Sequence, residues 1–150
     1  MGARSSGREA ALQMLFALDT SGDSADLVIS RYWRAMPFSD RHEDHFEFDP
    51  EARRYADSCV AGVASRMRQI DEKIQAASTN WRLERMTRVD RNLLRLGTYE
   101  LIERADVPLA VVLDEAVELA KRFGSGDSSA FVNGVLDRVA QVVGRSGPSR

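Results

Sequence analysis

A chain of 150 residues that is 43% hydrophobic is long enough for one domain with a real core, and we read residues 1–150 as a single domain. With 21 basic against 23 acidic side chains the net charge is -2, which excludes gripping nucleic acid by bulk charge and leaves room only for a local patch. The lone Cys59 excludes an intramolecular disulfide and a cysteine metal cage. No segment reaches the ~18 apolar residues of a spanning helix, and the first residues lack an export signal, so a cytoplasmic protein away from the membrane is expected.

In chain order, Ser6-Gly7-Arg8-Glu9 has the form of a capping box and predicts a helix over residues 7–19. Ala11, Leu12, Met14, Leu15 and Leu18 fall on one side of it. Thr20 to Asp23 reads as a turn. A short second helix, ending at Met36, carries Leu27, Val28, Tyr32 and Trp33, and Pro37 stops it. Residues 37–48 are polar and aperiodic and read as a loop. Asp49 and Pro50 restart the helix as N-cap and first residue. That third helix is expected to reach about Arg68, with a fourth over residues 70–77.

Thr87 is placed to cap a fifth helix over residues 88–103. Val107-Pro108 starts a sixth, which Gly124 ends. Asp127 or Ser128 caps a seventh that runs to Val143, and residues 144–150 form a loose tail. No strand-like alternation or internal repeat interrupts this series. The fold class is therefore all-α, a compact bundle of about seven helices.

Helical faces separate core from surface. In the sixth helix Val112, Leu113, Ala116, Leu119, Ala120 and Phe123 share one arc, opposite Asp114, Glu115, Glu118, Lys121 and Arg122. That charged arc reads as a solvated face, since no His or Cys joins it as a metal ligand. In the seventh, Phe131 sits at the rim of an arc completed by Val132, Val135, Leu136, Val139, Val142 and Val143. Gly134 inside this helix calls for a reason, such as close approach of another backbone, because glycine there costs about 1 kcal/mol against alanine. The fifth helix is apolar nearly all round and should be mostly buried. Arg88, Arg91 and Arg95 form its one polar arc, read as solvated or salt-bridged ahead of contact with a partner or RNA. Glu100 lies inside the apolar stripe and needs a polar partner there.

Three further patterns are too weak to assign chemistry. His42 and His45 stand three apart in a polar loop, too weak a signal for a metal site. Gly124-Ser125-Gly126-Asp127-Ser128 lacks the strand and lysine of a nucleotide loop. Cys59 reads as a small buried residue. No nucleophile–base pair is evident, so no catalytic residue, metal or cofactor is assigned.

Three blocks in order resemble the NusB family of transcription antitermination factors. They are Asn80-Trp81-Arg82-Leu83-Glu84-Arg85-Met86 with Val89-Asp90-Arg91-Asn92-Leu93-Leu94-Arg95-Leu96 and Tyr99-Glu100-Leu101; Asp106-Val107-Pro108 with Asp114 to Gly124; and Phe131-Val132-Asn133-Gly134-Val135-Leu136-Asp137. The resemblance implies an RNA-binding, all-α protein without enzymatic activity. It implies NusE, a small-subunit ribosomal protein, and BoxA RNA as partners within an RNA polymerase antitermination complex, acting chiefly in ribosomal RNA operons. It also implies RNA contacts at Arg4, Arg8, Phe16, Asp127, Phe131 and Asn133, and a NusE surface at Glu84, Arg88 and Asp90. Arg4 and Arg8 are sparser than the family's usual arginine run, which points to RNA reading that depends on the partner. Structural roles compete: Asp90 and Asp127 also suit helix starts, and Phe131 also suits the core. A protein-only adaptor, or a homodimer through the fifth helix, is the alternative. A self-contained ribosomal RNA methyltransferase lacks the length and the glycine motif it would need.

Overall fold

The computed structural model describes residues 2–35 and 49–146. The predicted end of the second helix at Met36, its stop at Pro37, the loop with His42 and His45, and residues 147–150 lie outside the described residues. Among the described residues all regular structure is helical, with seven α-helices and one 3-10 turn, in agreement with the all-α reading. The chain divides into two compact units, one ending at Ala61 and the other starting at Gly62.

The first unit holds α1 (Ala3–Ser21), α2 (Ala25–Ala35) and most of α3 (Pro50–Ser65). Ala11, Leu12, Met14, Leu15 and Leu18 of α1 are all buried, as their spacing requires. The capping box is not formed. The α1 helix begins at Ala3, so Ser6 lies inside it and donates its N–H to the Gly2 carbonyl at 3.1 Å. Nothing in residues 3–6 opposes helical geometry, and the guanidinium of Arg4 lies 4.8 Å from the centre of the Tyr55 ring, which favours the extra turn. At the other end Gly22 adopts φ 74°, a left-handed stop that glycine accepts without strain. Between α1 and α2 the Tyr32 hydroxyl donates to Gln13 Oε1 at 2.5 Å, and burial pushes the Tyr32 pKa up to about 12. Between α2 and α3 the Trp33 indole donates to Asp57 at 2.7 Å. Asp49 caps α3 as expected, accepting the Glu51 N–H at 2.7 Å.

The second unit contains α4 (Met67–Ala77), the 3-10 turn (Leu83–Arg85), α5 (Arg88–Glu103), α6 (Leu109–Phe123) and α7 (Ser128–Val142). The break between α3 and α4 falls at Arg66, with φ -120° and ψ 21°, earlier than predicted because neither glycine nor proline marks it. The α5 helix packs against α4, α6 and α7, and every residue from Asn92 to Leu101 is buried. A Cβ on Gly97 would sit 2.7 Å from a Leu136 methyl, so glycine there lets α5 and α7 close on each other. Glu100 is buried with this stripe. Arg95, also buried, grips Asp71 of α4 through two bonds of 2.9 and 3.0 Å.

Four other expectations change. Pro108 is the N-cap of α6 and the helix starts at Leu109. Phe123 and Val142, assigned to apolar faces, are exposed because each lies in the last turn of its helix. Among the described residues Gly134 meets no close backbone from another element; outside its own helical backbone the nearest atom to an added Cβ is a guanidinium nitrogen of Arg138 at 3.9 Å. The tail is held as far as Arg145, whose guanidinium donates to the carbonyls of Leu101 (2.8 Å) and Val107 and so covers the C-terminal end of α5.

Candidate nucleic-acid and partner interface

The segment joining α4 to α5 is fastened from both helices. From α4, the Gln75 amide donates to the carbonyls of Ser78 (3.1 Å) and Trp81 (2.9 Å), while its oxygen accepts the Leu83 N–H at 2.8 Å. The Ser78 hydroxyl also donates to the Trp81 carbonyl, at 3.0 Å. From α5, Arg91 donates to the carbonyls of Leu83 (3.2 Å) and Met86 (3.0 Å). The carbonyls of Ser78, Trp81, Leu83 and Met86 and the N–H of Leu83 are thus satisfied internally. The Trp81 side chain, held on that backbone, is nevertheless 54% exposed.

Trp81 stands at a pocket of about 250 Å³ lined also by Arg85, Met86, Thr87, Asp90, Asp127 and Phe131. Its local chemistry follows from two helix starts. Thr87 caps α5 as predicted, its hydroxyl oxygen accepting the Asp90 N–H at 3.2 Å. Asp90 is only 9% exposed, and its Oδ1 has no hydrogen-bond partner among the described residues. At the start of α7, Asp127 holds the N-cap position without a side-chain cap bond. The adjacent hydroxyl of Ser128 takes the Ser125 N–H instead, at 2.9 Å. Phe131 follows one turn later and is half-buried. The lining therefore combines two aromatic rings, two carboxylates and one guanidinium.

The residues singled out from sequence separate into groups. Asp90, Asp127 and Phe131 come together at the pocket, although they were assigned to two different surfaces. Asn133 is half-buried on α7 and does not line it. Glu84 and Arg88 are exposed. Arg82 donates to Glu84 at 2.8 Å, and this bond holds the Glu84 carboxyl below its usual pKa. Of the polar arc of α5, Arg88 alone faces solvent, since Arg91 fastens the loop and Arg95 grips Asp71.

In the first unit Phe16 is 41% exposed. Arg8 is 3% exposed, its guanidinium 5.3 Å from the centre of the Tyr55 ring that Arg4 also covers. Arg8 donates to the Tyr55 hydroxyl as well, at 3.5 Å. Sequence reasoning missed Trp81, Arg85 and Met86 as lining residues. An apolar indole beside charged neighbours, outside any helical period, is the signal that would have found Trp81.

The model of the NusB family matches residues 5–141. The Transcription antitermination protein NusB of Sorangium cellulosum is 61% identical over 145 residues, covering 97% of this chain and 96% of that protein. The protein of the same name from Myxococcus xanthus is 48% identical over 140 residues, covering 93% and 96%. Among solved structures, T. maritima NusB aligns with a TM-score of 0.77 at 33% identity, over 92% of this chain and 90% of that one. A structure of antitermination factors NusB and NusE in complex with double-stranded RNA aligns at 0.78 and 25% identity, over 93% and 97%.

Proposed function

We infer that this chain, which belongs to the NusB family, binds BoxA RNA together with NusE and promotes read-through by RNA polymerase in an antitermination complex, chiefly in ribosomal RNA operons. It acts as an antitermination factor and not as an enzyme. No described helix is long and apolar enough to cross a membrane, and we place its work in the cytoplasm.

The observation that carries this reading is the convergence of Asp90, Asp127 and Phe131 on one pocket, beside the exposed Glu84 and Arg88. Single-stranded RNA is held by stacking on aromatic rings and by cations near its phosphates. Phe131 offers the ring, with Asn133 further along α7. In the first unit Arg4 offers a cation and Phe16 an exposed ring, while Arg8 acts mainly by fixing Tyr55 beneath Arg4. Glu84 and Arg88 suit charged partners on NusE, and the acidic pair at the pocket weakens RNA binding by the chain alone. NusE therefore supplies part of the grip. An α5-mediated homodimer has little to rest on, because Leu93, Leu94, Leu96, Tyr99 and Leu101 are all buried within the fold.

Titration of labelled BoxA RNA with the chain, with and without NusE and across salt concentrations, tests the reading. The expected result is tight BoxA-selective binding with NusE and weaker, less salt-dependent binding without it, because fewer phosphates are contacted. No BoxA preference in either condition contradicts the RNA role. A missing NusE complex would favour the adaptor.

A further inference from the structure

At the end of α5 away from the pocket stands a residue without a role in the proposed function. The α5 and α7 helices pack together and run in the same direction. Their starts both line the pocket, through Asp90 on one and Asp127 and Phe131 on the other. Midway, Leu136 of α7 lies against Gly97 of α5, where a Cβ would come within 2.7 Å of a methyl. Just past α7, Arg145 reaches the end of α5. Parallel helices bring two C-terminal ends together, each with orphan carbonyls and a negative partial charge. That pairing is disfavoured unless a cation or donor groups stand between the ends.

Arg145 supplies both. Gly144, at φ 76°, turns the chain at the end of α7, and the Arg145 N–H closes on the Ala140 carbonyl at 2.8 Å. The half-buried guanidinium then crosses to α5. Its Nη1 donates to the carbonyls of Glu100 (3.4 Å) and Leu101 (2.8 Å), and its Nη2 to that of Val107 in the α5–α6 loop. Packing at Gly97 is apolar and non-directional, so it leaves sliding and rotation of the pair to be fixed elsewhere. The forked bonds of Arg145 are directional and charge-assisted.

We propose that Arg145 is a positioning residue, a cationic latch that locks the parallel register of α5 and α7 and so sets the spacing of their starts. The latch itself stands on the geometry of this chain alone. Its importance to a partner rests on the proposed function, because Asp90 and Phe131 belong to different helices and meet that partner together.

The test begins with the full chain by itself. Arg145→Ala should speed hydrogen exchange about tenfold at the amides of Arg104 and Val107, which close on the carbonyls of Glu100 and Arg104. It should also move the NMR signals of the Trp81 indole and of the Asp90 and Phe131 amides, one helix length away, about 24 Å. Arg145→Lys keeps the cation without the fork and should recover part of both effects. Val60→Ala, in the buried face of α3, lowers stability without touching the latch and should leave the Trp81 signal in place. In the complex with NusE, Arg145→Ala should bind about fivefold more weakly, at a temperature where circular dichroism shows it fully folded.

Unchanged exchange, or faster exchange with Trp81, Asp90 and Phe131 unmoved, overturns the proposal and leaves Arg145 a local cap. The same Trp81 movement in Val60→Ala overturns it as well, as does Arg145→Lys behaving no better than Arg145→Ala. Moved signals with native NusE affinity would show that the spacing does not matter to the partner, and the positioning role fails. If the native chain does not bind NusE, the functional reading fails instead, while the measurements on the chain alone still decide the latch.

Discussion

The start of α1 and the start of α5 both set charged side chains beside aromatic rings, yet they differ in how far those groups are already engaged. On α1, Arg8 is buried and both it and Arg4 lie against Tyr55. At α5, Asp90 Oδ1 has no partner among the described residues and the Trp81 ring is exposed. A charge bonded within the fold serves stability first, whereas an unsatisfied buried acceptor beside an open aromatic pocket is prepared for something outside it. Position in the chain made both regions candidates. Their bonding separates a region engaged within the fold from one that, on the proposed reading, meets a partner.

The sharpest contrast comes from a group that is fully engaged. Removing the guanidinium in Arg95→Ala leaves Asp71 half-enclosed and alone, and urea unfolding should show a loss of about 3 kcal/mol. A loss under 1 kcal/mol would mean that the pair is solvent-screened. Arg8→Ala should cost about 2 kcal/mol through lost packing and cation–π contact with Tyr55. Loss of RNA affinity with unchanged stability would reverse the comparison and make Arg8 a reader. Phe131→Ala should show the opposite pattern, weakening BoxA binding by about 1.5 kcal/mol in a fluorescence titration. Its melting temperature should fall less than that of the Arg8 variant. Gly134→Ala should raise stability by up to about 1 kcal/mol, because nothing among the described residues crowds the position. A stabilised variant that binds RNA or NusE less well would show that a partner's backbone approaches this face.

The sequence made α5 legible down to both its ends. Thr87 offered a capping hydroxyl, and the apolar run from Leu93 to Leu101 could belong only to a buried helix. The break at Arg66 was not legible, since no residue type announces it. The start of α1 was misplaced for a related reason. Ser6 and Glu9 can form a capping box, but the three preceding residues, with no objection to helix, extended the element past it. At the site, Asp90 and Phe131 were found through resemblance, and Asp127 was equally a cap. Sequence does not show that Asp127 lacks a cap bond while Ser128 is engaged with Ser125. Nor does it show that the ring of Trp81 stays in water, because tertiary packing decides both.

The most direct measurement is an amide and indole NMR titration of the chain–NusE complex with BoxA RNA. The account predicts the largest shifts at the Trp81 indole N–H and at the amides of Asp90, Asp127 and Phe131, with smaller ones near Arg4 and Phe16. Shifts confined to residues 4–16, with Trp81 and Phe131 unmoved, would contradict it.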